Sequence, residues 1–185
     1  MARIPAATRE SVPEDQRMTF DEVLQQRGGV APGPLSIMIN VPEVAKRGGH
    51  LSEYLRLEST LPSKLQELAM LVTARELDCQ FIWNAHAARG RSAGLRDEIV
   101  DSLRDKRELP TLDGDEAAVV HYGREFFQTH RVSQATFDAA LAQFGVRGLT
   151  ELTNLMGYYA LLAFNINAFG VELPAERTEV ALPLS

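Results

Sequence analysis

One cysteine, Cys79, stands alone among 185 residues. An internal disulfide framework is therefore excluded, as is a multi-cysteine zinc or iron–sulfur site within one chain. A reducing cytoplasm is the simplest expected address. Dense basic runs are also missing: 19 basic residues face 25 acidic ones, for a formal charge of −6. Phosphate neutralisation needs clustered Lys and Arg, so no nucleic-acid partner is expected. The N-terminal stretch has no apolar run, so it does not read as a secretory signal. No window approaches the roughly 20 apolar residues of a membrane span, so no membrane partner is expected. The nearest candidate, residues 155–169, is interrupted by Asn165 and Asn167. Strand-like alternation and hairpin turn patterns are absent. His50, His121 and His130 lack metal-ligand spacing and read as surface or packing residues; no metal and no cofactor is expected.

What is present is an ordinary globular mixture, 45% apolar and 24% charged, in a chain long enough for one domain with a real core. The pattern predicts an all-α, single-domain helical bundle of at least six helices. Residues 1–17, with Pro5 and Pro13, read as an arm that orders only against something else. Residues 18–175 form the domain and 176–185 a tail. Thr19 is the expected cap of a short helix stopping at Gly28–Gly29. The proline-bearing stretch after it suggests a buried crossing through Leu35, Ile37, Met38 and Ile39. A helix over 43–57 is expected to turn Val44, Leu51, Tyr54, Leu55 and Leu57 inward. Ser63 and Gln66 have the spacing of a capping box, ahead of a buried face at Leu65, Leu68, Leu71 and Val72. Asp78 is the expected cap of the next helix and Gly90 its end. Further helices are expected after Gly94 and over 115–129, 134–144 and 149–169. The last of these is apolar nearly all round and should be deeply buried.

Chemistry concentrates between Glu67 and His86. On one helix, Cys79, Trp83 and His86 are separated by offsets of 4 and 7 and share a face. Glu67 precedes Cys79 by 12 residues. On an unbroken helix it would lie about 18 Å away and point roughly 120° elsewhere. Glu67 joins the site only if the chain bends near Leu77–Asp78. Such a bend would put Cys79 at a helix N-terminus, where amide dipoles favour a thiolate.

This segment resembles the signature of the carboxymuconolactone decarboxylase family, within the alkylhydroperoxidase-D-like group. The resemblance runs over residues 30–172. It includes the proline-bearing approach, LPSKLQELAMLVTAREL, CQFIWNAH and the C-terminal NLMGYYALLAFNINAFGVELP. It implies that Glu67 matches the glutamate supporting proton transfer in the peroxidase branch. Cys79 matches the first cysteine of that branch's Cys-x-x-Cys, and His86 the histidine of the same motif. Ile82 stands where the second cysteine would be, so a dithiol cycle cannot close within the chain. Decarboxylase-like members often carry a glutamate there, which is also absent. The resemblance further implies trimers or hexamers.

The leading expectation is a cofactor-free lyase or isomerase acting on a small carboxylated lactone or oxo-acid. His86 would be the acid–base group, Glu67 would orient or recharge it, and Cys79 would line the pocket or relay a proton. Ile82 and Trp83 would contact substrate, and an arginine would hold its carboxylate. The alternatives are a one-cysteine peroxidase or thiol-dependent reductase and a non-catalytic helical binding protein. Each residue also has a plainer role: Cys79 as a small buried apolar group, Trp83 as core or interface, His86 as a structural histidine. Glu67, in a buried-looking helix, needs a partner; Lys64, Arg75 and Arg89 are the candidates.

Overall fold

The computed structural model describes residues 2–30 and 32–184; Met1, Ala31 and Ser185, at the edges of the expected arm, crossing and tail, lie outside them. Among the described residues there are eight α-helices and no strand. They are α1 (Arg17–Arg27), α2 (Pro34–Met38), α3 (Pro42–Glu53), α4 (Ser63–Glu76), α5 (Gln80–Ser92), α6 (Asp97–Arg104), α7 (Gly114–Thr129) and α8 (Gln134–Phe169). A π-helical turn, Tyr54–Glu58, continues α3, and a short 3₁₀ turn, Glu14–Gln16, precedes α1. No helix among the described residues is long and apolar enough to cross a membrane.

Helix α4 is the hub, packed against α5, α7 and α8. Every residue from Leu65 to Arg75 is buried, because this helix has neighbours on all sides rather than along one stripe. Leu68, Leu71 and Val72 are fully enclosed, as their spacing predicted. A second, smaller cluster joins Val12, Phe20 and Val23 to Met38, Ile39 and Ala45. It anchors the N-terminal arm, whose Arg3 also donates its amide to the Phe169 carbonyl at 2.7 Å. Ile37, Met38 and Ile39 are buried in the expected crossing.

Several local expectations are corrected. Thr19 lies inside α1, which starts at Arg17, and its hydroxyl donates to Glu43. Gly28 does end α1, in a left-handed conformation. Ser63 is the first residue of α4, with Pro62 in the cap position and no side-chain cap. Gln66 instead donates to the Leu61 carbonyl and Ser59 hydroxyl, tying the preceding loop down. A true capping box occurs at Asp113 and Glu116. Gly90 is interior to α5, where it allows close packing against Leu71 and Leu95; the helix ends at Ser92, with Ala93 as its cap before Gly94.

Two burial expectations also change. Of the residues expected to face inward on 43–57, only Leu55 is buried; Val44, Leu51, Tyr54 and Leu57 are exposed, Leu57 by 77%. The expected helices over 134–144 and 149–169 are two arms of α8, kinked at Gly145, whose φ of 65° few other residues adopt. The second arm buries Leu149, Leu152, Leu155, Met156 and Tyr159 but leaves Leu161 and Phe164 exposed. An apolar sequence all round the helix thus marks one core face and one face open in the single chain.

The tail beyond α8 is strapped across α4 and α5. Arg75, 1% exposed, donates to the carbonyls of Arg104 and Pro183 at 2.8 Å each. Gln80 donates to the Leu182 carbonyl, Thr178 to the Asn84 carbonyl, and Leu182 is fully buried.

Candidate functional site

The chain does break between α4 and α5. Asp78 adopts φ 48°, a left-handed conformation uncommon outside glycine. The Cys79 amide reaches back to the Ala74 carbonyl at 2.8 Å and the Asp78 amide to Arg75 at 3.3 Å. These two bonds form the helix-ending pattern usually built on glycine. Asp78 is therefore the stop of α4 rather than the cap of α5, and its carboxylate pairs with Arg75. Cys79 itself occupies the cap position of α5.

The turn folds α5 back along α4 and brings Glu67 to His86. Nδ1 of His86 lies 2.7 Å from Oε2 of Glu67, and both residues are 6% exposed. Gly90 eases the packing of α5 on α4: a Cβ there would sit 2.9 Å from Leu95 and 3.3 Å from Leu71. The partner of Glu67 is thus His86, not the expected cations. Lys64 binds Glu116 at 2.7 Å and Arg75 binds Asp78. Tyr159 from α8 meets the His86 ring edge-on, with centroids 5.1 Å apart, and Tyr158 meets Tyr159 in the same manner. Sequence reasoning missed the two tyrosines, because no local spacing links α8 to α5.

Burial lowers the pKa of His86; the bond to Glu67 opposes this, and the charges of Arg56 and Arg89 add to it. The imidazole is neutral at pH 7. The tautomer in which Nδ1 donates to the Glu67 carboxylate leaves Nε2 as the basic nitrogen. Nε2 has no hydrogen-bond partner among the described residues. Burial also pushes the Tyr159 hydroxyl up to about 12. The pair can accept a proton at Nε2, hold it as an imidazolium beside a carboxylate, and release it.

Cys79 is fully buried. Burial pushes its thiol pKa up, and the amides of Ile82 and Phe81 pull only partly back. The helix terminus is where the sequence placed it, but the expected thiolate does not follow, because desolvation outweighs the amides. Trp83 (1% exposed) and Ile82 (3% exposed) belong to the same apolar cluster as Cys79, rather than forming an open wall. A shallow depression of about 450 Å³ reaches Glu67 between Ser63 and Arg89. No group of three His, Cys, Asp or Glu among the described residues is placed to hold a metal ion.

Residues 42–125 match the sequence model of the Carboxymuconolactone decarboxylase family. A search of curated proteins finds no match. The fold is similar to that of an uncharacterized peroxidase-related protein from Ralstonia eutropha JMP134, an alkylhydroperoxidase AhpD core. That likeness has a TM-score of 0.71 at 18% identity and covers 94% of this chain and 93% of the other. A peroxidase-related protein from Silicibacter sp. TM1040 gives 0.69 at 17% identity, covering 92% of each chain. The debrominase Bmp8, solved in complex with 2,3,4-tribromopyrrole, gives 0.68 at 13% identity over 92% of this chain and 90% of its own.

Proposed function

From the match of residues 42–125 to the Carboxymuconolactone decarboxylase family and a fold similar to that of an AhpD core, we propose a carboxy-lyase or isomerase that moves protons on a small carboxylated lactone or oxo-acid without redox chemistry at Cys79. The observation that carries this reading is the buried Glu67–His86 pair, with Nε2 of His86 left without a partner. In the decarboxylating form, the bond to the substrate carboxyl carbon breaks and carbon dioxide leaves. The electron pair stays on the lactone as an extended enolate. A proton from solvent, carried as the His86 imidazolium, then quenches the carbanion. Burial makes that imidazolium a stronger acid, while Glu67 keeps it accessible. In the isomerising form, Nε2 takes a C–H proton beside the carbonyl and returns it two carbons along. Arg56 and Arg89, whose charges act on His86, favour an anionic substrate and the enolate.

The burial of Cys79 and its raised thiol pKa count against the peroxidase alternative, since the thiolate is the nucleophile. The proposal includes a cytoplasmic address and assembly into a homo-oligomer, a trimer or hexamer. Exposed Val44, Leu51, Leu57, Leu161 and Phe164 support assembly, because a monomer gains nothing by leaving them in water. The test is a panel of carboxylated lactones, oxo-acids and alkyl hydroperoxides, assayed with the wild type and with Cys79→Ser. Turnover of a lactone or oxo-acid that survives Cys79→Ser supports the reading. Hydroperoxide reduction lost in Cys79→Ser overturns it. Light scattering at micromolar concentration tests the assembly; a monomer contradicts it.

A further inference from the structure

A cleft of about 470 Å³ opens between the end of α1 and the α3–π segment, lined by Arg27, Gly49, His50, Ser52, Glu53 and Arg56 among others. Its volume is that of a small-molecule site. Arg27 and Arg56 have no carboxylate within 4 Å among the described residues, although the surface is rich in ion pairs elsewhere. Glu53 lines the cleft without pairing to either arginine.

The sequence is shaped to hold this arrangement. Gly48 and Gly49 sit in the interior of α3, where each glycine weakens a helix by roughly 1 kcal/mol relative to alanine. Each is explained by a close approach. A Cβ at Gly49 would lie 2.9 Å from the Arg27 guanidinium, and one at Gly48 would lie 2.7 Å from Met38 and 3.7 Å from the Tyr158 hydroxyl. Gly49 thus leaves room for the Arg27 guanidinium on one side of α3 and Gly48 for the Met38 methyl on the other, with Tyr158 in ordinary contact beside it. Tyr158 touches Tyr159, which touches His86. The charge of Arg56 is felt at Tyr158, Tyr159 and His86 alike, so the cleft and the buried pair share one cation.

We propose that this cleft binds a small organic anion through Arg27 and Arg56 and is the carboxylate-recognition subsite of the chemistry centred on His86. The second half of that statement rests on the proton-transfer reading above; the first half does not. Two guanidiniums facing one cavity select a molecule with two carboxylates, or one carboxylate and an enolate oxygen, over a neutral isostere.

The experiment is calorimetric titration with glutarate, which the proposed reaction does not consume, against its neutral diamide. The proteins are the wild type, Arg27→Gln, Arg56→Gln, Gly49→Ala and the surface control Arg131→Gln. Saturable glutarate binding is expected in the wild type and in Arg131→Gln, and none for the diamide. Each cleft arginine variant should weaken binding at least about tenfold, the loss of one charge-assisted hydrogen bond. Gly49→Ala should weaken it too, by displacing Arg27. Circular dichroism on each variant separates lost binding from lost fold. Equal affinity in wild type, Arg27→Gln and Arg56→Gln, or no saturable binding at tens of millimolar, overturns the subsite. If the arginine variants lose glutarate while no lactone or oxo-acid turns over, the anion site stands and the catalytic reading fails. If turnover depends on His86 but not on Arg27 or Arg56, the catalytic reading stands and the cleft is not its carboxylate subsite.

Discussion

Replacing His86 with alanine should damage the fold as well as any activity, and the structure says by how much. The imidazole is buried, meets Tyr159 edge-on, and is the hydrogen-bond partner of a buried carboxylate. The edge contact contributes roughly 1 kcal/mol. Stranding Glu67 costs more, about 3 kcal/mol, because its buried carboxylate loses its hydrogen-bond donor. A total near 4 kcal/mol is a large share of the roughly 5–15 kcal/mol that holds a domain folded. For a domain of this size it should lower Tm by about 8–16 °C. The cause is testable by a double-mutant cycle in urea. With Glu67→Gln in place no charge is stranded, so adding His86→Ala should cost about 2 kcal/mol less than it does in the wild type. Additivity within about 0.5 kcal/mol would refute the claim that the two side chains are energetically coupled. For kinetics, His86→Gln is the better variant, since its amide can still donate to Glu67.

Cys79 should resist a thiol reagent at pH 7 in the folded protein and react at the rate of opening; rapid stoichiometric labelling would contradict its burial. Leu182→Ala should cost about 2–3 kcal/mol and speed that labelling, because the buried leucine pins the tail beside Gln80. Burial alone would raise the pKa of Glu151, but bonds from Thr60, Tyr54 and Arg147 outweigh it and hold the carboxyl at about 2. Its folded value lies below its unfolded one, so its stabilisation is full above about pH 4.5 and lost as pH falls toward 2; Glu151→Gln should flatten that part of a stability–pH profile. Gly123→Ala should cost roughly 1–2 kcal/mol despite better helix propensity, since its Cβ would lie 2.8 Å from Met156 and 2.9 Å from Val72.

The helices were legible because their signals are local. Apolar spacing marked α4, the left-handed stop at Gly28 marked the end of α1, and the offset arithmetic located the break near Asp78. Side chains whose job depends on another element were not legible. Ser63 and Gln66 have capping-box spacing, yet the preceding loop captures Gln66 and leaves Ser63 helical. Gly90 looks like a terminator but serves the contact between α4 and α5. Val44, Leu51 and Leu57 carry an apolar pattern that promises a core, and the single chain leaves that face open. At the site, the break between α4 and α5 followed from counting residues. The partner of Glu67, the contribution of Tyr159 and the thiol's resistance to ionising did not. They depend on how far α4, α5 and α8 enclose those groups, which is a tertiary property.

In the proposed function protons, not electrons, move at this site, and His86 moves them. The most direct measurement follows deuterium incorporated from heavy water into the product carbon, using the best substrate of the lactone and oxo-acid panel, for wild type, Cys79→Ser and His86→Gln. The account predicts deuterated product from the wild type, a similar rate from Cys79→Ser, and a loss of at least about a hundredfold in His86→Gln, the scale of a general acid–base contribution. An unchanged rate in His86→Gln, or a collapse confined to Cys79→Ser, would contradict it.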